Sequence, residues 1–128
     1  MRVPLSLVSA ALGLTLLAGI TGTAQAAAAN PPNCISPTLD PAGEGRRAYL
    51  RLNCYGCHGM HGTGGMGPNI VGEDGVGEVV VNGSDSGMPS FRDYLCPNDT
   101  TYLSVYLKTL GTRKEPTFTR WWEPVPKE

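Results

Sequence analysis

The chain has 128 residues, 41% hydrophobic and 16% charged, with a formal net charge of −1 at pH 7. A length of this order buries one modest core and argues against a multidomain machine. The near-neutral balance excludes nucleic acid as a partner.

The first residues read as an export signal. Arg2 supplies positive charge, an apolar run extends from Leu5 to Ile20, and Ala24-Gln25-Ala26 forms a small-x-small cleavage site. Residues 1–26 are expected to be removed. The alternative, an uncleaved membrane anchor, is disfavoured by the short run and the small residues crowding its end. A lipoprotein would carry a cysteine at the cut, whereas the first cysteine is Cys34. No later stretch is apolar enough to span a bilayer, so the expectation is one soluble domain in the oxidising periplasm, without stable membrane insertion. Loss of Arg2 takes the formal charge from −1 to −2.

Residues 27–41, rich in Ala, Asn and Pro, read as an extended arm. A helix is predicted from Ala42 to Asn53, with Glu44 early, arginines following, and Tyr49, Leu50 and Leu52 on an apolar side. It runs into Cys54-Tyr55-Gly56-Cys57-His58, a C-x-x-C-H motif of the kind that attaches a c-type haem. Two thiols so spaced can add to the two vinyl groups on one porphyrin edge, leaving the histidine beneath the iron. A zinc site would need a second close ligand pair, but Cys34 and Cys96 stand far apart and His61 is the one other histidine. A thioredoxin-like pair would need an α/β scaffold that the pattern lacks. One covalently attached haem c is therefore the expected cofactor.

Seven glycines between Gly59 and Gly75 predict a loop folded closely against something. A phosphate cradle is a weak reading there, without a Lys-Ser/Thr ending or a preceding strand. Val76 to Asn82 is read as a short helix or turn closed by Gly83. For the sixth iron ligand, His61, Met60 and Met66 lie too near His58 to cross readily to the opposite haem face. Met88, thirty residues beyond His58 in Gly87-Met88-Pro89, has chain enough to do so. The plainer alternative is that Met88 fills the core. The last helix is predicted from Asn98 to Leu110, with Leu103, Tyr106, Leu107 and Leu110 at helical spacing and Gly111 as its stop. The tail, residues 112–128, carries Phe118, Trp121 and Trp122 among prolines and is expected to pack back over the domain; a docking surface is the alternative. Cys34 and Cys96 remain as an even pair, which in an exported chain predicts a disulfide, against two buried free thiols. The fold class is all-α: a few helices wrapped on one cofactor.

Three runs, Asn53 to Gly59, Gly67-Pro68-Asn69-Ile70 and Gly87-Met88-Pro89-Ser90-Phe91, resemble a class I cytochrome c of bacterial type from about Gly43 to Gly111. The resemblance implies a small cytochrome c fold over residues 42–111. It also implies that the Pro68 carbonyl meets the other ring nitrogen of His58, and that Gly45 and Tyr49 cross Leu103 and Tyr106 between the first and last helices.

With His58 and Met88 filling both axial positions, the iron is left to gain and lose single electrons, and no catalytic constellation is visible elsewhere. The expectation is an electron carrier rather than an enzyme. It would take electrons from a dehydrogenase, a quinoprotein alcohol dehydrogenase by loose resemblance, and pass them towards a terminal oxidase through transient contacts. A haem enzyme or gas sensor with an open sixth site is the alternative, as is a tightly held dehydrogenase subunit. Glu73, Asp74, Glu78 and Asp85, with no Lys or Arg between Asn69 and Phe91, predict an acidic docking patch, against a merely solvated loop. Arg92 is read as a propionate partner or a solvent-facing side chain, and no calcium loop is recognisable.

Overall fold

The computed structural model describes residues 33–128; the expected signal at 1–26 and the first part of the arm lie outside the described residues. Helix α1 spans Pro41–Arg51. It starts where the sequence makes starting easy: the Asp40 carboxylate accepts a hydrogen bond from the Gly43 N–H at 2.8 Å, and Pro41 occupies the first turn, where its missing donor costs nothing. It ends two residues short of the predicted Asn53 because Asn53 adopts φ 59°, in the left-handed region. The chain then folds into the single turn α2, Tyr55–His58, with the Cys54 N–H donating back to the Tyr49 carbonyl at 3.0 Å.

After the glycine-rich loop come α3, Gly77–Asn82, and a short 3-10 turn, Arg92–Tyr94, which the sequence did not suggest. Helix α4 spans Asp99–Leu107. It is shorter at both ends than predicted. Asn98 takes φ 67° and makes no side-chain cap, and beyond Leu107 the bonds tighten to three-residue turns, the Thr109 N–H reaching the Tyr106 carbonyl at 2.8 Å. Among the described residues there is no strand, in agreement with an all-α fold. No helix among them is long and apolar enough to cross a membrane.

The core forms where α1 crosses α4. A Cβ built on Gly45 would lie 2.0 Å from the Tyr102 carbonyl oxygen and 2.5 Å from the Tyr106 Cβ, so the two backbones meet at a spot with room only for hydrogen. Beside it the Tyr49 and Tyr106 rings pack with centroids 5.4 Å apart. Ala48, Leu52, Val80, Leu103, Leu107 and Leu110 complete the buried cluster. The expected partners Gly45, Tyr49, Leu103 and Tyr106 therefore do meet.

Two arginines from α1 account for the tail. Arg46 and Arg47 are buried, which no local sequence signal foretells. Residues 112–128 have no regular structure to satisfy their carbonyls, and the guanidiniums do so instead. Arg46 donates to the Phe118 and Thr117 carbonyls at 2.7 and 3.1 Å and to the Tyr106 hydroxyl at 2.8 Å. Arg47 donates to the carbonyls of Trp121, Glu123 and Pro124 at 3.0–3.1 Å and to the Glu44 carboxylate at 2.8–2.9 Å. Each charge is thus resolvated by oxygens the tail could not otherwise pair. Phe118 is buried, whereas Trp122 is exposed and stacks edge-on against the half-buried Trp121. At the other terminus Cys34 and Cys96 are joined through their sulfurs, with Cα atoms 5.6 Å apart, tying the arm to the loop before α4.

Because the helix crossing leaves no space for a methyl group, Gly45→Ala is expected to cost about 3 kcal/mol. The Tm of the haem-loaded protein should fall by more than about 10 °C. A Tm within about 2 °C of the parent by thermal circular dichroism would show that the helices do not depend on this contact.

Candidate haem site

The site is assembled from α2 and from the loops on either side of α3. His58 closes α2 and is buried. Its Nδ1 lies 2.9 Å from the Pro68 carbonyl oxygen. A carbonyl can only accept, so Nδ1 carries the proton, and Nε2 is left with a free lone pair. That is the tautomer a metal-ligating imidazole requires, held in place by a backbone oxygen.

The glycine-rich loop brings Pro68 there. The Gly64 N–H donates to the His58 carbonyl at 2.9 Å, and the Gly67 N–H to that of Cys57 at 2.9 Å, folding the loop back onto α2. A Cβ on Gly67 would stand 2.8–2.9 Å from Cε1 and Nδ1 of the His58 ring. The backbone therefore lies close against the imidazole and restricts its orientation. Tyr49 braces the same loop: its hydroxyl donates to the Gly59 carbonyl at 2.6 Å, and burial raises its pKa.

Cys54 and Cys57 are half-buried free thiols, and burial pushes the Cys54 thiol up to about 12. Cys54 packs against the core together with Ile70, Val76, Val79, Met88, Phe91 and Leu95, all only partly covered. Partly covered apolar side chains on the core, two thiols and an oriented imidazole are chemically suited to a large apolar ring. The residues present fit a haem. The thiols would hold it by thioether bonds, and His58 and Met88 would supply its axial nitrogen and sulfur.

Met88 sits past α3, its backbone fixed by the Ser84 N–H, which donates to the Met88 carbonyl at 2.9 Å, and by the Phe91 N–H, which donates to Val80 at 3.0 Å. The remaining candidates lie elsewhere. His61 is exposed and pairs through Nδ1 with Glu115 at 2.7 Å; Met66 is 85% exposed. Arg92 bonds to the Asn82 side chain. Sequence reasoning passed over Gly67, although its place before Pro68 was the available signal. It also passed over Arg51, whose partners are far away in the chain.

Helices packed around a C-x-x-C-H turn whose histidine is oriented by a proline carbonyl define a c-type cytochrome. The family model described as cytochrome c oxidase, cbb3-type, subunit III matches residues 40–107, more than half of the chain, and the chain belongs to that family. The family is one of electron-transfer cytochromes with covalently bound haem c. Among solved structures, the chain is similar to cytochrome cL from Hyphomicrobium denitrificans (24% identity, TM-score 0.46, 58% of this chain and 51% of that one). It is also similar to cytochrome cL from the marine methylotroph Methylophaga aminisulfidivorans (21% identity, TM-score 0.45, 56% of this chain and 55% of that one). The match thus spans about half the length of those chains. No curated protein matches.

Gly67→Ala should disturb His58, whereas Gly77→Ala, whose added methyl would lie 3.5 Å from Thr100, should not. The first is expected to cost about 2 kcal/mol, followed as thermal unfolding at the haem band, and the second under about 0.5 kcal/mol. Equal effects from the two would refute a backbone that restricts the imidazole.

Proposed function

We propose that this chain is a periplasmic mono-haem electron carrier whose iron is held by His58 Nε2 and Met88 Sδ, with the porphyrin attached through Cys54 and Cys57. Residues 1–26 act as the signal, 27–41 as an arm, 42–111 as the cytochrome domain and 112–128 as its strap. The observation that carries this reading is the bond between His58 Nδ1 and the Pro68 carbonyl, which leaves Nε2 as the free ligand atom. Bound haem supplies one reversibly exchanged electron. The chain's own residues give that exchange its character. The imidazole is fixed before the iron arrives, a thioether favours the reduced state, and the apolar side chains from Ile70 to Leu95 would keep water from the ring they cover. The Cys34–Cys96 pair and the export-type leader both suit an oxidising compartment.

The proposed donor is a dehydrogenase, a quinoprotein alcohol dehydrogenase among the candidates, and the acceptor a terminal oxidase. Contact with either would be brief, at the surface bearing Glu73, Asp74, Glu78 and Asp85. Asp74 is already paired with Lys108 at 2.6 Å, which leaves three of the four carboxylates without a cation among the described residues. One observation favours a second reading, permanent assembly into a larger complex: the family's own description is of an oxidase subunit. Native size-exclusion chromatography separates the two, since a carrier elutes alone with its haem.

Met88→Ala tests the ligand set. The ferric protein should lose the weak far-red absorption of thioether-bound low-spin haem and bind cyanide readily. A spectrum identical to the parent's would refute Met88 as ligand. Added salt should slow electron transfer from the natural donor several-fold between low and physiological ionic strength; a salt-independent rate would remove the acidic surface from the account.

A further inference from the structure

The segment carrying Met88 leaves α3 at Gly83 and enters α4 at Asp99. Its first half is stitched to α3: the Gly83 N–H donates to Val79 at 2.8 Å and the Ser90 hydroxyl to Val81 at 2.6 Å. Its second half, from Phe91 to Asn98, keeps bonds to α3 at its start, from the Phe91 N–H to the Val80 carbonyl and from Arg92 to Asn82, and then meets α1. There Arg51 uses both arms of its fork. Nη1 donates to the Tyr94 carbonyl at 2.8 Å, and Nη2 donates to the Asp99 carboxylate. The same carboxylate oxygen accepts from the Cys96 N–H at 2.7 Å. The Arg51 and Asp99 side chains are only 9% exposed, so solvent competes weakly for the bond between them.

Arg51 is the last residue of α1, three positions before Cys54. One helix end therefore fixes the first thioether position and, through Arg51, the far anchor of the methionine segment. We infer that Arg51 is a positioning residue for the sixth iron ligand, holding Met88 in the ligating position by clamping Tyr94, Cys96 and Asp99. This rests on the reading that Met88 ligates. A segment that loses one of its anchors samples more conformations, and an outside ligand competes better against a methionine that is in place for less of the time. The fork matters as well as the charge. A lysine ammonium at position 51 has no planar pair of donors with which to span Tyr94 and Asp99 in one geometry.

The test is imidazole titration of the ferric holoprotein, followed by loss of the methionine band. Arg51→Gln and Asp99→Asn should each bind imidazole about tenfold more tightly than the parent. Arg51→Lys should fall between, and Arg120→Gln, an exposed arginine that pairs with Glu123 away from this segment, should stay within about twofold. Should Arg51→Gln fail to load haem, Arg51→Lys carries the test, with a rise of several-fold expected. An unchanged imidazole affinity in the Arg51 and Asp99 variants, even with a lowered Tm, would overturn the inference by leaving Arg51 a merely structural role. A parent protein lacking the methionine band would instead overturn the sixth-ligand reading, and this inference with it.

Discussion

The contact on which the rest depends is the approach of α1 to α4 at Gly45. With no side chain there, the Tyr102 carbonyl comes close enough that even a methyl group would collide. Part of what frames the haem site is then hung from one or other helix. α1 runs into Cys54, Cys57 and His58; Tyr49 steadies Gly59; and Leu103, Leu107 and Leu110 back the partly covered apolar side chains. A core this small leaves apolar surface only partly covered, of the kind a bound porphyrin would bury.

A second constraint comes from two buried charges. Arg46 and Arg47 would be costly in the interior alone, and the tail's carbonyls would be costly if buried unpaired. Together each removes the other's penalty. The tail is therefore part of the fold from Thr117 to Pro124, and its exposed tryptophan is an edge of a docked strap. No buried side-chain polar atom among the described residues is left without a partner.

Much of this was legible in the chain itself. The C-x-x-C-H turn, the glycine-dense loop, the short helix closed by Gly83 and the periodic run ending near Leu110 are local signals, and the structure carries an element at each. Helix ends were less legible. Asn53 and Asn98 take left-handed backbone that stops α1 early and starts α4 late, and asparagine tolerates that conformation without announcing it. Arg46, Arg47 and Arg51 were invisible as interior residues, because what buries them lies 43 to 77 positions away. A helix with three arginines reads as wet until its partners are known. The turn at Arg92–Tyr94 had no periodicity to betray it.

Which sulfur meets the iron decides whether this chain can work as a simple electron carrier, and methyl NMR of the reduced holoprotein tests that most directly. The sequence holds four methionines, one of them Met1. With the methionine methyl groups isotopically labelled, the porphyrin ring current should carry one resonance far upfield, and that resonance should vanish in Met88→Leu while those of Met60 and Met66 keep their places. Three methyl signals at ordinary positions, or an upfield one that survives Met88→Leu, would contradict it.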